Sequence, residues 1–149
     1  MDDIDDELAA CLAPVLRDLA AGNVPAPRLQ KSSWYAHPDN LEIMVFAPNG
    51  SGQGVSIQRG EPFVDQLARL ADQVQEWAVE ALWAIGRSAV WPECPEHPNS
   101  HPLRVDVSAD QTGVERAVWR CPKSNVVAFA VGEMPTMPEP VPTARKRGR

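Results

Sequence analysis

Two cysteines and two histidines in the C-terminal half of the chain could together hold a metal ion. Two residues separate Cys94 from His97, three separate His97 from His101, and Cys121 follows twenty positions after His101. Thiolate sulfur and imidazole nitrogen are the ligands of tetrahedral Zn²⁺ in proteins. The spacing therefore predicts a zinc site made of Cys94, His97, His101 and Cys121.

The Cys-Pro-x-His turn that begins at Cys94 is typical of a zinc knuckle, in which a tight turn directs two side chains at one ion. A second complete knuckle would need a thiol three positions after Cys121, where the chain has Ser124, a poor zinc ligand. His101 is the natural replacement as the fourth ligand. Two alternatives stay open: that these residues bind no metal, or that Cys94 and Cys121 form a disulfide.

Other residues of these types are expected to have structural roles. Cys11 lies among apolar residues at helical spacing and is interpreted as a small buried side chain. His37 lies in a turn and is interpreted as a polar loop residue. Trp77 is expected in the core of a long helix, while Trp91 and Trp119 flank the metal site and are expected to shield it and attach it to that helix.

The composition limits the classes of protein to which the chain can belong. Its 149 residues suffice for one domain or two small modules, and 44% hydrophobic with 23% charged residues exclude wholesale disorder. The net charge of −6 argues against a broad phosphate-binding surface. No apolar run approaches the length of a membrane span, and the acidic N-terminus lacks a targeting segment. We therefore expect a cytoplasmic protein without membrane contact.

The first 88 residues read as a helix, three strands and a second helix. Apolar residues at helical spacing predict both helices, with a kink or a shifted start at Pro14 in the first, and alternating apolar residues predict the strands. Short turns between the strands favour an antiparallel meander. The predicted elements are a helix over Asp5–Ala21, a connector over Val24–Arg28, strands over Ser32–Ala36, Leu41–Ala47 and Gly54–Gln58, and a helix over Glu61–Ile85.

Residues 89–133 differ in residue pattern from the first 88 residues, and this pattern predicts a separate zinc-ribbon-like module. The stretch from Trp91 to Pro102 holds four prolines and cannot be helical. Three short strands are predicted after it, over Leu103–Val107, Val114–Cys121 and Val126–Val131. A bound metal contributes most to stability in a region with so small a hydrophobic core, because it links the loops of that region to one another. The sequence thus predicts an α+β fold: an α-β-β-β-α layer over residues 1–88, followed by this three-stranded module.

The last sixteen residues, 134–149, carry four prolines and no apolar periodicity, which predicts a disordered tail. The tail ends in the basic run 145–149 and carries a single acid, Glu139. Such a run could touch nucleic acid or fold back on the acidic remainder of the chain, although most charge runs are simply solvated.

Four short motifs between Trp91 and Glu133 resemble the C-terminal region of a group of small actinobacterial proteins. They are Cys-Pro-x-His-Pro, His-Pro-Leu, Trp-x-Cys-Pro and Val-Gly-Glu. The upstream Gly-x-Gly-Val-Ser-Ile strand and Asp-Gln-Val-Gln-Glu-Trp helix resemble the same group, so the resemblance extends over most of the chain. It implies a zinc-ribbon-like region and adds no activity.

The sequence favours a non-catalytic module that binds a protein or peptide and is stabilised by a structural zinc. Four good ligands in a proline-rich arrangement indicate a closed site, whereas catalytic zinc keeps one position for water or substrate. One alternative is a nucleic-acid-associated zinc ribbon that uses the basic tail. The other is a zinc-dependent hydrolase with Glu93 or Glu96 as its base.

Overall fold

A computed structural model describes residues 4–31 and 38–138 of the chain. These residues form a mixed fold of helices and strands with two antiparallel three-stranded sheets, of order β1-β2-β3 and β4-β5-β6. The elements are α1 (Asp6–Ala21), β1 (Arg28–Lys31), β2 (Asn40–Phe46), β3 (Gly52–Gln58), α2 (Phe63–Ala84), β4 (Arg104–Ala109), β5 (Glu115–Arg120) and β6 (Val127–Ala130). The α+β class and the order of elements agree with the sequence prediction.

The first sheet is built on the two strands whose apolar residues alternate. Ile43 of β2 lies opposite Val55 of β3, and both are buried together with Leu41, Val45 and Ile57. Because side chains alternate between the two faces of a strand, these residues form one apolar face that packs against the helices. The meander and its inward-facing residues are confirmed.

The first strand of this sheet lies earlier in the chain than the sequence predicts. β1 (Arg28–Lys31) pairs antiparallel with the end of β2, so that Arg28 faces Phe46. The predicted strand Ser32–Ala36 lies outside the described residues. The sequence places Arg28 in the connector, and β1 itself carries a single apolar residue, Leu29, and shows no alternation. The strand forms through its pairing with β2.

Helix α1 continues through Pro14 without interruption. Asp5 caps its first turn by accepting a hydrogen bond from the backbone N–H of Glu7 at 2.9 Å. Pro14 packs against Gly132, where an added Cβ would lie 2.7 Å from the proline ring and where φ is +95°. The helix therefore does not have the shifted start at Pro14 that the sequence allows, because the buried faces on either side of the proline hold it against the core.

Helix α2 is the longest element and contacts both sheets. The predicted ends were wrong by one or two residues: Pro62 is the N-cap, and Ile85 is the C-cap with φ −104° and ψ 15°. The helical spacing of apolar residues runs from Phe63 to Ile85 and predicts that both are buried, but they are 51% and 41% exposed, since they lie where the helix begins and after it ends. Within the described ranges neither helix is long and apolar enough to cross a membrane.

Three glutamines of α2 attach the helix to the backbone of both sheets. Gln73 donates to the carbonyl of Ser56 at 2.7 Å and accepts from the N–H of the same residue at 2.9 Å. Gln66 is buried and donates to the carbonyl of Gln58, while Gln75 donates to the carbonyl of Leu103 at 2.6 Å. The helix thus satisfies backbone groups at the edge of β3 and just before β4.

A buried carboxylate on α1 connects the N-terminal elements to the second sheet. Asp18 is fully buried, and its oxygens accept from the indole N–H of Trp119 at 2.9 Å and the backbone N–H groups of Gly132 and Met134 at 2.7 and 3.1 Å. Its backbone carbonyl accepts from the indole N–H of Trp91 at 3.2 Å. Burial raises the pKa of the Asp18 carboxyl, and the hydrogen bonds from Gly132, Trp119 and Met134 act in the opposite direction.

The segment that follows β6 is packed against α1. Met134 is 8% exposed and belongs to the same hydrophobic cluster as both helices and the second sheet. The backbone N–H of Met137 donates to the carbonyl of Ala21 at 2.7 Å. The prediction that disorder begins at residue 134 is therefore wrong for residues 134–138, because the two methionines find partners on α1. The rest of the predicted tail, 139–149, lies outside the described residues.

We predict that Asp18→Ala lowers the free energy of unfolding by at least about 3 kcal/mol, because three buried donors lose their acceptor and each such loss costs about 1–3 kcal/mol. Urea unfolding at pH 7, followed by tryptophan fluorescence and far-UV circular dichroism, measures the change. Asp72→Ala is the control, because Asp72 is an exposed aspartate within α2 and its removal should cost no more than about 0.5 kcal/mol. Equal stability of Asp18→Ala and the parent would contradict the assignment.

Candidate metal centre

The first part of the centre is a loop closed at its base by a short antiparallel contact. Glu93 and Pro102 form an isolated β-bridge, and the N–H of Leu103 donates to the carbonyl of Pro92 at 2.8 Å. Cys94 and His101 are the first and last residues inside this loop. Its two ends are therefore held side by side although seven positions separate them.

Within this loop, a tight turn brings His97 back toward Cys94. The backbone N–H of His97 donates to the carbonyl of Cys94 at 3.2 Å, and the N–H of Ser100 donates to the carbonyl of His97 at 3.2 Å. Proline follows Cys94, where its fixed φ favours a turn and where a helix could not continue. The turn places the side chains of both residues on one side of the loop.

A second turn of related sequence contributes Cys121. It follows β5, and the N–H of Cys121 and the carbonyl of Val126 are joined by a hydrogen bond of 2.9 Å. The N–H of Ser124 points at the Cys121 sulfur, 3.3 Å away. Both turns begin Cys-Pro, but the second has serine where the first has His97.

The four side chains predicted as ligands converge in the structure. The Nδ1 atom of His97 lies 3.1 Å from Nε2 of His101, 3.5 Å from Sγ of Cys94 and 3.6 Å from Sγ of Cys121. Sγ of Cys121 lies 3.9 Å from Nε2 of His101, and all four atoms are within 4.8 Å of one another. Cys94, His97, His101 and Cys121 are therefore close enough to bind one metal ion.

These separations match those of a tetrahedral site. With metal–sulfur and metal–nitrogen bonds of about 2.3 and 2.05 Å, the edges of a tetrahedron are about 3.3 Å between two nitrogens and about 3.6 Å between sulfur and nitrogen. The nitrogen–nitrogen separation here is 3.1 Å, and three of the four sulfur–nitrogen separations are 3.5, 3.6 and 3.9 Å. The two remaining pairs, from Sγ of Cys94 to Nε2 of His101 and to Sγ of Cys121, lie within 4.8 Å. The residues present thus fit a four-coordinate ion without large movement.

The thiols lie in different electrostatic surroundings. Burial raises the pKa of Cys94, which the backbone N–H groups of Glu96 and His97 partly oppose and which the neighbouring Cys121 thiol reinforces. Burial also acts to raise the pKa of Cys121, but hydrogen bonds from Ser124, from the backbone of Lys123 and from Cys94 outweigh it and lower the pKa to about 6. One sulfur of the pair is therefore a thiolate at neutral pH, the form that binds metals.

His101 is oriented by a hydrogen bond on the side of its ring that faces away from the cluster. Its Nδ1 lies 2.9 Å from the carbonyl oxygen of Pro102, and a carbonyl can only accept, so Nδ1 carries the proton. Nε2 then presents its lone pair to the other three ligands. Such an outer hydrogen bond sets the tautomer and orientation of histidine ligands in metal sites.

Ser124 and the two nearby glutamates join the turns to one another. The hydroxyl of Ser124 donates to the carboxylate of Glu96 at 2.5 Å, which links the second turn to the first. The carboxylate of Glu93 accepts from the backbone N–H of Asn99 at 2.7 Å. Each of the two glutamates thus has a hydrogen-bond partner in these loops.

The tryptophans beside the centre are buried, and the hydrogen bonds of this pair reach both helices. Trp91 and Trp119 are 1% and 0% exposed and meet edge to face with ring centroids 5.3 Å apart. Their indole N–H groups bind Asp18 of α1, and the backbone carbonyl of Trp91 accepts from Gln75 of the long helix α2 at 3.1 Å. Trp77 lies in the core of α2 as predicted, whereas Trp34 and His37 lie outside the described residues.

The three cysteines are free thiols, which leaves the disulfide alternative without support. Cys11 is fully buried on α1, as predicted from its spacing, and its thiol lies 3.9 Å from Oε1 of Gln66. Burial raises its pKa to about 11, so it is a neutral thiol at physiological pH.

The sequence pattern did not identify Asp18, which accepts hydrogen bonds from both tryptophans. The signal was present, since Asp18 follows Cys11 and Val15 by seven and three positions and so falls on the buried face of the helix. An acidic residue on such a face is normally paired or hydrogen-bonded. Nothing in the sequence indicates that its partners are Trp119, Gly132 and Met134.

Comparison with protein-family models, with curated proteins and with solved structures found no match to this chain. The resemblance to small actinobacterial proteins therefore stays an expectation, and the chemistry of the centre rests on its geometry.

We predict that chelation lowers the melting temperature of the metal-loaded protein by about 5–10 °C, because a ligand at a hundred times its Kd contributes about 2.7 kcal/mol. Cys121→Ser should be insensitive to chelator. Cys11→Ala is the matched control: it removes a buried thiol outside the cluster and should keep the full chelator effect. Thermal melts with and without EDTA measure the differences, and a parent that melts identically in both would contradict the site.

Proposed function

We propose that this chain is a non-catalytic protein-interaction module in which Cys94, His97, His101 and Cys121 hold a structural Zn²⁺. The observation that carries the proposal is the convergence of these four ligand atoms at tetrahedral separations. Two thiolates and two imidazoles form the donor set that zinc prefers over magnesium or calcium, which take oxygen ligands.

The position of the centre in the chain suits a structural role. The loop from Cys94 to His101 and the turn at Cys121 lie on opposite sides of the β4–β5 hairpin in sequence, and they contain little regular structure. An ion bound to all four side chains would connect the loop that precedes the β4–β5 hairpin to the turn that follows it. Metal binding of this kind contributes directly to folding in small modules.

The arrangement of the ligands favours a closed site over a catalytic one. Catalytic zinc has three protein ligands and a water, whereas four protein atoms here already fit the four positions. Glu93 and Glu96, the candidate bases of a hydrolase, each accept a hydrogen bond that holds a loop. Both features support a structural ion.

An exposed surface beside the centre supports the binding of a protein or peptide. A groove of about 600 Å³ runs between α2 and the metal-side loops, and its apolar lining includes Val79, Pro102, Leu103 and Pro122. Trp83 is 75% exposed on the same helix. Exposed tryptophans and apolar grooves are typical of protein-binding surfaces.

We predict that the protein binds one Zn²⁺ per chain and that Co²⁺ replaces it with the intense visible spectrum of a tetrahedral thiolate site. Elemental analysis and cobalt titration measure both quantities. Azide, which binds an open position, should leave the cobalt spectrum unchanged if all four ligands come from the protein. A shifted spectrum would overturn the closed site, and a chain that takes up no zinc would overturn the proposal as a whole.

A further inference from the structure

One face of α2 is left uncovered by the two sheets. At 100° per residue, Asp72, Glu76, Val79, Glu80 and Trp83 share this outward side, which we call the outer face of α2. All of them are exposed except the half-buried Val79. Trp83, at 75%, has the largest exposed fraction among the large hydrophobic residues of the described ranges.

The charged residues on this face destabilise the helix. Asp72, Glu76 and Glu80 follow one another at intervals of four, where like charges repel. Carboxylates toward the C-terminal end also oppose the helix dipole, and the last turn of α2 contains no basic residue. Among residues 4–31 and 38–138, none of the three has an ion-pair partner. The outer face therefore complements a cationic segment that carries an apolar group for Trp83.

The described part of the chain ends near the C-terminal end of α2, where the outer face also ends. The side-chain amide of Asn23 donates to the carbonyls of Met137 and Pro138 at 3.1 and 3.0 Å. The guanidinium of Arg87 donates to the backbone carbonyl of Asn23 at 2.7 Å. Because Arg87 comes three residues after the end of α2, these bonds hold Pro138 at the C-terminal end of the helix, where Ile85 and Pro138 line one cavity.

The residues that follow Pro138 have the composition that the outer face requires. Residues 139–149 read Glu-Pro-Val-Pro-Thr-Ala-Arg-Lys-Arg-Gly-Arg, with two prolines and a valine before four basic residues and a single acid. Eleven residues at the polyproline rise reach about 34 Å. Only about 17 Å of helix separates Trp83 from Asp72. The segment is thus long enough to run back along the whole face.

We propose that residues 139–149 bind along the outer face of α2 in the same chain, with the proline-containing part on Trp83 and the basic residues over Glu76 and Glu80. Proline rings pack on exposed tryptophans in known recognition modes, and arginine pairs with carboxylates and stacks on aromatic rings. The segment acts as a built-in competitor for any partner that binds this face. The contact needs no metal, so it stands apart from the zinc proposal.

Amide and indole NMR signals of the ¹⁵N-labelled full chain test the contact. In the variant with Arg145, Lys146, Arg147 and Arg149 all changed to Gln, the Trp83 indole and the amides of the outer face should shift. Glu76→Gln/Glu80→Gln should shift the basic residues of the tail. Glu115→Gln, an exposed acid on the second sheet, is the control and should leave the tail signals in place.

Salt and concentration separate the remaining outcomes. In about 0.5 M NaCl, where the Debye length falls to about 4 Å, the parent spectrum should approach that of the neutralised tail. A peptide of residues 139–149 should bind the tail variant at Trp83, about fivefold more weakly after Glu76→Gln/Glu80→Gln, since two exposed ion pairs are of that order. Identical spectra of parent and tail variant overturn the proposal, and shifts that grow with protein concentration assign the contact to a second copy instead.

Discussion

The buried carboxylate of Asp18 is the interaction on which the arrangement of this protein depends. A charge without water needs several donors at once, and no neighbouring residue on α1 supplies them. Its donors come from Trp119 of the second sheet and from Gly132 and Met134 of the segment that follows. Since Trp119 lies one residue before Arg120, which ends β5, and two before Cys121, the same hydrogen bond that satisfies α1 also positions the second turn of the metal centre.

Helix α2 packs against both sheets, and its glutamines satisfy backbone groups beside each of them. A strand at the edge of a sheet exposes unpaired N–H and carbonyl groups that invite pairing with other chains. Gln73 occupies both groups of Ser56 on β3, and Gln75 satisfies the carbonyls of Leu103 and Trp91 beside the metal-side loop. A side-chain amide has a donor and an acceptor in the geometry of a peptide group, so it substitutes for the missing neighbour strand.

Residue patterns in the sequence predicted the features that are determined mainly by residues close together in the chain. The periodic helices, the alternating strands β2 and β3, the burial of Cys11 and the convergence of the four candidate ligands all agree with the structure. The prediction was wrong where distant partners decide: β1 depends on pairing with β2, and Met134 depends on a contact with α1. Asp18 illustrates the limit, because its position on a buried face was readable while its partners, more than a hundred residues away, were not. The identity of the ion stays a prediction.

The long separation in sequence between Asp18 and its partners also affects how the chain folds during synthesis. Helix α1 leaves the ribosome before α2 and both sheets, yet its carboxylate meets Trp119 only 101 positions later and Met134 only 116 positions later. Until those residues emerge, an ionised Asp18 lacks its three hydrogen-bond donors, so burying the side of α1 that carries it costs free energy. Complete burial of α1 therefore depends on residues near the end of the described chain, and a chain that stalls on the ribosome before Met134 would leave the Asp18 side of this helix accessible to chaperones and proteases.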